Sequence, residues 1–237
     1  MAWFARWRSV ASAFAAAVVV SLAGCASGPA GVGVAAPQLA LGDHWQYKVT
    51  DNLRRGTVSR LDVEVVALSG REARLRFDHA DAEGRTQWIA DVDSEGGLRA
   101  GSLYREPPRP FEPAARLLAF PLDPGKTWNQ VIDTVRPDTK LDDQILIYGR
   151  VDSPGMMTVP AGSFDAFYVY RIVRLDDEEF WRTRTLLRTA LWYASDAKGS
   201  VREEREAQYT EKDGPDSATV RTESVVLELE SFRPGGR

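Results

Sequence analysis

The sequence predicts an all-β domain: a strongly twisted antiparallel sheet, either a half-barrel or two packed meanders, with at most one or two short helices. Three observations carry this expectation. Apolar and polar residues alternate with period two, Leu61, Val63 and Val65 against Asp62 and Glu64, and Ala73, Leu75 and Phe77 against Arg74 and Arg76. Val225, Leu227 and Leu229 repeat the pattern against Ser224, Glu228 and Glu230, with Val226 as an interruption. Such alternation marks antiparallel strands with one wet face. Turn sequences recur at hairpin spacing: Ser69-Gly70, Glu83-Gly84, Glu95-Gly96-Gly97, Pro160-Ala161-Gly162, Lys198-Gly199 and Asp213-Gly214-Pro215. That spacing leaves room for roughly ten to twelve strands. Seven tryptophans, two of them at positions 3 and 7, and many aliphatics supply a core for one domain or two fused halves.

The first element is a leader. Arg6 and Arg8 precede an apolar stretch over residues 10–22, and small residues follow it up to Cys25, the only cysteine. A positive start, a short apolar core and small residues make a secretory signal peptide, residues 1–24. The apolar stretch is too short for the roughly 20 residues that span hydrocarbon. Residues 25–37 are small and featureless, and read as the cysteine and a flexible tether reaching about 40 Å when extended.

Leu22-Ala23-Gly24-Cys25 resembles the lipobox of bacterial lipoproteins. The resemblance implies that the leader is cut before Cys25 and that the cysteine is acylated with palmitate-type chains. Each buried methylene contributes about 0.8 kcal/mol, so two or three chains hold a protein on a bilayer stably. Ala26 stands where enterobacterial lipoproteins carry the aspartate that retains them at the inner membrane. The resemblance therefore implies the periplasmic face of the outer membrane. Removing residues 1–24 takes away two arginines and no acid, moving the net charge from −4 to about −6. A mildly acidic exported chain is a poor ligand for nucleic acid.

Residues 38–106 read as a first β meander. Residues 107–117 form a Pro-rich connection, because Pro107, Pro108 and Pro110 cannot donate to a ladder. A short helix is the expectation around residues 112–119. Residues 118–237 make a second β meander. In it, residues 164–173 are apolar or aromatic on both faces, which predicts a central strand covered on both sides, and the acidic run 176–179 reads as a turn. The halves echo each other. Gly42-Asp43-His44-Trp45 is matched by Gly125-Lys126-Thr127-Trp128, with Leu39 and Leu122 three residues before each glycine. Trp88-Ile89-Ala90 is matched by Trp192-Tyr193-Ala194. The echo predicts a pseudo-repeat of two similar meanders.

Three strings carry a second resemblance: Phe120-Pro121-Leu122-Asp123-Pro124-Gly125-Lys126-Thr127-Trp128, Val159-Pro160-Ala161-Gly162-Ser163-Phe164, and Trp192-Tyr193-Ala194 before Gly199. Over about residues 118–206 the chain looks like an uncharacterised β domain of bacterial envelope lipoproteins. The resemblance implies a fold and a location, and no reaction.

The chemical inventory is sparse. Two histidines, His44 and His79, fall short of the three or four clustered ligands of a zinc site, and no Gly-x-Ser-x-Gly elbow or phosphate loop is present. Asp91, Asp93, Glu95 and Gly96 imitate the start of a calcium loop, but Ser102 stands where the bidentate glutamate belongs, so a solvated hairpin tip is expected. No catalytic residue, metal or cofactor is expected. Phe167, Tyr168, Tyr170, Trp181, Trp192 and Tyr193 are core aromatics that can also line a concave ligand face. The expectation is a non-enzymatic, membrane-anchored envelope lipoprotein with a binding or assembly role, its partner an unidentified envelope protein. A carrier of a lipid or other hydrophobic ligand is the alternative, and a hydrolase acting through paired carboxylates a lesser one.

Overall fold

The computed structural model describes residues 33–214 and 217–236. The leader, Cys25 and its lipobox lie outside the described residues. Twelve strands run β1 (His44–Asp51), β2 (Thr57–Ser69), β3 (Glu72–Asp81), β4 (Gly84–Asp93), β5 (Leu98–Gly101), β6 (Arg109–Ala115), β7 (Thr127–Val135), β8 (Asp142–Val159), β9 (Gly162–Arg174), β10 (Leu186–Ala194), β11 (Gly199–Gly214) and β12 (Ser217–Arg233). All join one antiparallel sheet in the order β6-β5-β4-β3-β2-β1-β12-β11-β10-β9-β8-β7. The turn sequences fall between these strands, and the alternation in β2 buries Leu61, Val63 and Val65 on one face.

The sheet order is that of two six-strand meanders laid head to tail. The Gly-x-x-Trp echo has a backbone counterpart. Gly42 N–H donates to Val65 O and Val65 N–H to Asp43 O; Gly125 N–H donates to Val151 O and Val151 N–H to Lys126 O, all at 2.9 Å. Both glycines sit in the left-handed region, at φ 83° and 82°, where a side chain would be strained. The Trp-x-Ala echo is looser. Trp88 stacks on Phe77 at 5.2 Å, whereas Trp192 meets Tyr168 edge-on while its neighbours Leu191 and Tyr193 enter the core. Each half also runs on for two strands beyond that motif.

Two local expectations are corrected. The predicted helix over 112–119 is strand β6 and the loop after it, because the segment completes the ladder along the edge of β5, with Leu98 opposite Ala115. Pro110 and Pro113 suit a short edge strand, so the Pro-rich stretch belongs to the sheet. Strand β9 is covered on one side only. Phe167, Val169 and Val173 are buried, while Tyr168, Tyr170 and Ile172 on the opposite face are half-exposed, with no second layer over them.

The sheet rolls until its edges meet, but β6 and β7 share no backbone ladder. Side chains close the seam instead. The Gln130 carboxamide receives Arg116 N–H at 2.8 Å and donates to Ala114 O at 2.8 Å, standing in for a peptide unit. Trp128 Nε1–H donates to Arg116 O at 2.9 Å, and Arg171 Nη1 to Leu117 O at 2.9 Å. Trp128 reaches this position by lying over Gly149 of β8, where an added Cβ would stand 2.0 Å from its ring. Gly149→Ala therefore forces the indole out of place and is expected to cost about 1–3 kcal/mol, the usual penalty of overpacking, readable as a lowered midpoint in urea.

Candidate functional site

Strand direction sorts the interior into two ends. The links β2–β3, β4–β5, β6–β7, β8–β9 and β10–β11 share one end with the start of β1 and the finish of β12. The other six links share the opposite, distal end. At the first end the interior is packed: Trp45, Val63, Val65 and Leu229 in one cluster, Leu122, Trp128, Val151 and Tyr193 in another. Trp45 Nε1–H donates to Ala197 O at 2.6 Å there.

Midway the interior turns polar. Tyr47 donates its hydroxyl to Ser200 O at 2.8 Å, and burial pushes that phenol up. Arg171 stands opposite Gly149 and Thr189, and burial pulls its guanidinium down to about 10. Burial pushes Glu203 up, but the charges of Arg205 and Arg171 and the Ser200 hydroxyl outweigh it and hold the carboxyl below its usual range.

The distal end is open. A cavity of about 460 Å³ lies between the β1–β2, β3–β4 and β11–β12 hairpins and the β5–β6 loop. Its wall carries Asp51, Asp81, Glu83 and Glu223 with Arg54, Arg105 and Arg221. Inside it, Ser59 Oγ and His79 Nε2 are 2.8 Å apart. The acids are engaged. Asp51 accepts Leu53 and Arg54 N–H at 2.9 and 3.0 Å, and Asp81 accepts Glu83 and Gly84 N–H at 2.8 and 3.0 Å. Glu223 pairs with Arg105, and together with burial it pushes the Tyr104 hydroxyl up. A smaller cavity of about 200 Å³ adjoins, sharing Tyr104, Arg105 and Tyr209 with the first.

The six aromatics predicted for a ligand face are not brought together. Phe167 and Tyr193 are core, Tyr168, Tyr170 and Trp192 sit on the outer face, and Trp181 stands half-exposed in the β9–β10 loop. None lines either distal cavity. His44 lies 3.2 Å from Asp62, on a strand wall rather than in a cluster. Among the described residues no three His, Cys, Asp or Glu side chains group so as to hold a metal. The calcium-like segment is a hairpin tip in which Asp93 Oδ1 accepts Glu95 and Gly97 N–H at 3.0 and 2.8 Å.

The polar lumen was missed from sequence, although a signal existed. Residues 202–206 of β11 are five charges in a row. Successive side chains of a strand point to opposite faces, so one alternate set of these charges had to face inward, and it is Glu203 and Arg205 that do. Their partners across the ladders, Leu191, Thr189, Leu227 and Val225, confirm that side.

Fold and cavities together define a rolled, single-sheet β domain, packed at the end where its termini meet, with a further apolar cluster around Phe111, Ile145 and Leu175 on the β6–β9 side and polar cavities at the distal mouth. No family model matches the chain, and no curated protein does. Among solved structures it is similar to a candidate lipoprotein from Parabacteroides distasonis, at 13% identity and a TM-score of 0.50, over 84% of this chain and 99% of that one. It is also similar to a candidate exported protein with a YmcC-like fold from Bacteroides fragilis, at 15% identity and 0.43, over 85% and 99%. The hypothetical lipoprotein YmcC from Escherichia coli follows, at 10% and 0.41, over 82% and 86%. The first likeness is one of fold.

Proposed function

We propose that the chain is a non-catalytic binding protein of the bacterial cell envelope, held by a lipid on Cys25 at the periplasmic face of the outer membrane. The observation that carries this reading is polarity of the domain. The described chain enters beside Leu122, where Val34 pairs with it, at the packed end; the cavities open at the other. Because the described chain enters at the packed end, a tether from there leaves the distal cavities unobstructed by the anchor. The cavity falls within the 300–1,000 Å³ usual for ligand sites, but charge lines its wall. An acyl chain placed there would strip water from the Asp51, Asp81 and Glu223 carboxylates and the arginines beside them and offer no hydrogen bond in exchange, which is costly. A polar ligand fits better than a hydrophobic cargo. The acids are already bonded to main chain and arginines, which favours binding over carboxylate hydrolysis.

Cys25→Ser tests the anchor. Cells fed labelled palmitate should incorporate it into the wild-type chain and not into the variant, and the variant should leave the membrane fraction. Equal label in both chains, or a wild-type chain found wholly in the soluble fraction, would refute the anchor.

A further inference from the structure

The interior beneath the larger distal cavity holds more positive than negative charge. Arg205 of β11 stands in one row of the ladders with Val225 of β12, Asp51 of β1 and Thr57 of β2, and those three residues line the cavity. Although Arg205 faces inward, its side chain is 46% exposed, so the space it points into is open to water. One edge of its guanidinium is taken. Nε donates to Glu203 Oε2 at 2.6 Å, and Nη2 lies 2.5 Å from the same oxygen. The opposite edge, Nη1 and the second Nη2 hydrogen, meets no acceptor among the described residues. Glu203 has nothing further to give, because its Oε1 accepts the Ser200 hydroxyl at 2.5 Å. Arg171 adds a second guanidinium within electrostatic reach of Glu203 and Arg205. Its own hydrogen bonds go to neutral groups, Leu117 O at 2.9 Å and Thr189 Oγ1 at 3.4 Å. Two guanidinium groups therefore share one carboxylate, and an interior charge without a counter-ion is costly to keep.

We infer that the floor of the larger cavity binds a small polar molecule through a carboxylate or phosphate group held on Arg205. The inference deepens the reading of the distal end as a binding face and rests on it. The pairing of the walls fixes the sign of the ligand's charge. A cation would find no carboxylate to spare. Glu203 is engaged on both oxygens, and Asp51 and Asp81 accept main-chain N–H groups. Glu83 and Glu223 pair with Arg54 and Arg105. The charge left over is the positive one at the floor, supplied by Arg205 and Arg171 against Glu203. Shape agrees with charge. The free edge of Arg205 presents two parallel N–H groups, the fork that carboxylate and phosphate oxygens meet in a bidentate pair. Glu203 holds the other edge and so keeps the fork aimed into the open space.

The test is titration calorimetry at fixed ionic strength on the full-length, acylated protein in detergent. Glycerol phosphate and glycerate are the probes, one for each anion, with glycerol as the uncharged contrast. Saturable heat with at least one charged probe and none with glycerol is expected, and the probe that binds names the group. Arg205→Gln should weaken that binding about tenfold or more, as the loss of a charge-assisted pair does. Val225→Glu places a carboxylate opposite Arg205 and should displace the probe to the same degree, while Val225→Gln should bind it as the wild type does. That pair of variants separates an occupied fork from a damaged fold. The inference fails if neither charged probe gives heat, if glycerol binds as well as they do, or if Arg205→Gln and Val225→Glu both bind as the wild type does. Failure there with Cys25 acylated and the protein on the membrane would leave the anchored reading standing.

Discussion

Asp43→Ala is expected to remove about 3–5 kcal/mol of stability, the range seen when one partner of a buried ion pair is deleted. Asp43 is fully buried, and its carboxylate gathers three distant pieces of chain. Oδ2 accepts Ala40 N–H at 2.7 Å, Oδ1 accepts Gly235 N–H at 2.7 Å, and the Lys198 ammonium contacts both oxygens at 2.8 and 3.1 Å. The entry to β1, the segment after β12 and the β10–β11 hairpin thus share one anion. Removing it leaves two main-chain donors without an acceptor and Lys198 without its counter-ion. Lys198→Met should cost less, because the carboxylate keeps both backbone donors. Urea unfolding at neutral pH measures both.

The same residue sets a pH dependence. Burial pushes its carboxyl up, but Lys198 and the Gly235 and Ala40 N–H groups outweigh that and hold it below the usual carboxylate range. A carboxyl depressed in the folded state contributes stability above its unfolded pKa and loses it as pH falls through the folded one. The gap between wild type and Asp43→Asn should therefore be full above about pH 4 and shrink as acid is added below it. A gap unchanged down to full protonation would show that the ionised form does not matter.

Trp128→Ala should cost about 3–5 kcal/mol, as large-to-small changes of buried tryptophan do. The indole fills the space over Gly149, touches the cluster around Leu122 and Val151, and donates across the seam. Trp128→Phe keeps most of the volume and loses one neutral hydrogen bond, a loss of about 1 kcal/mol. Hydrogen exchange separates this from a general loosening. Amides of β6 and β7 should exchange much faster in Trp128→Ala, while those of β1 and β12, joined by a ladder over the whole of β1, should rise only with global stability. Equal acceleration at both junctions would mean that the seam does not depend on Trp128.

Much of the fold was legible. Period-two alternation and glycine turns reveal strands because both depend on a few neighbouring residues, and the twelve strands match that reading. Gly42 and Gly125 were legible as equivalents because each needs the same positive φ before the same tryptophan. The aromatics between 164 and 193 were less so. Their sequence tells that they are large and apolar, but which side of β9 and β10 faces inward depends on the register with β8 and β11 and on the irregularity between Trp192 and Tyr193. The 112–119 segment misled because alanines and leucines favour a helix, while the free edge of β5 decides for a strand.

By itself the sequence determined an all-β chain and where its turns fall, since both are written in local pattern or short motif. Only the tertiary structure decided how the halves join, that β6 and β7 meet through side chains, and that one end of the interior is polar. The physical reason is that an inward charge such as Glu203 or Arg205, or a buried ion pair such as Arg109 and Asp143, acquires meaning only from residues far along the chain that surround it.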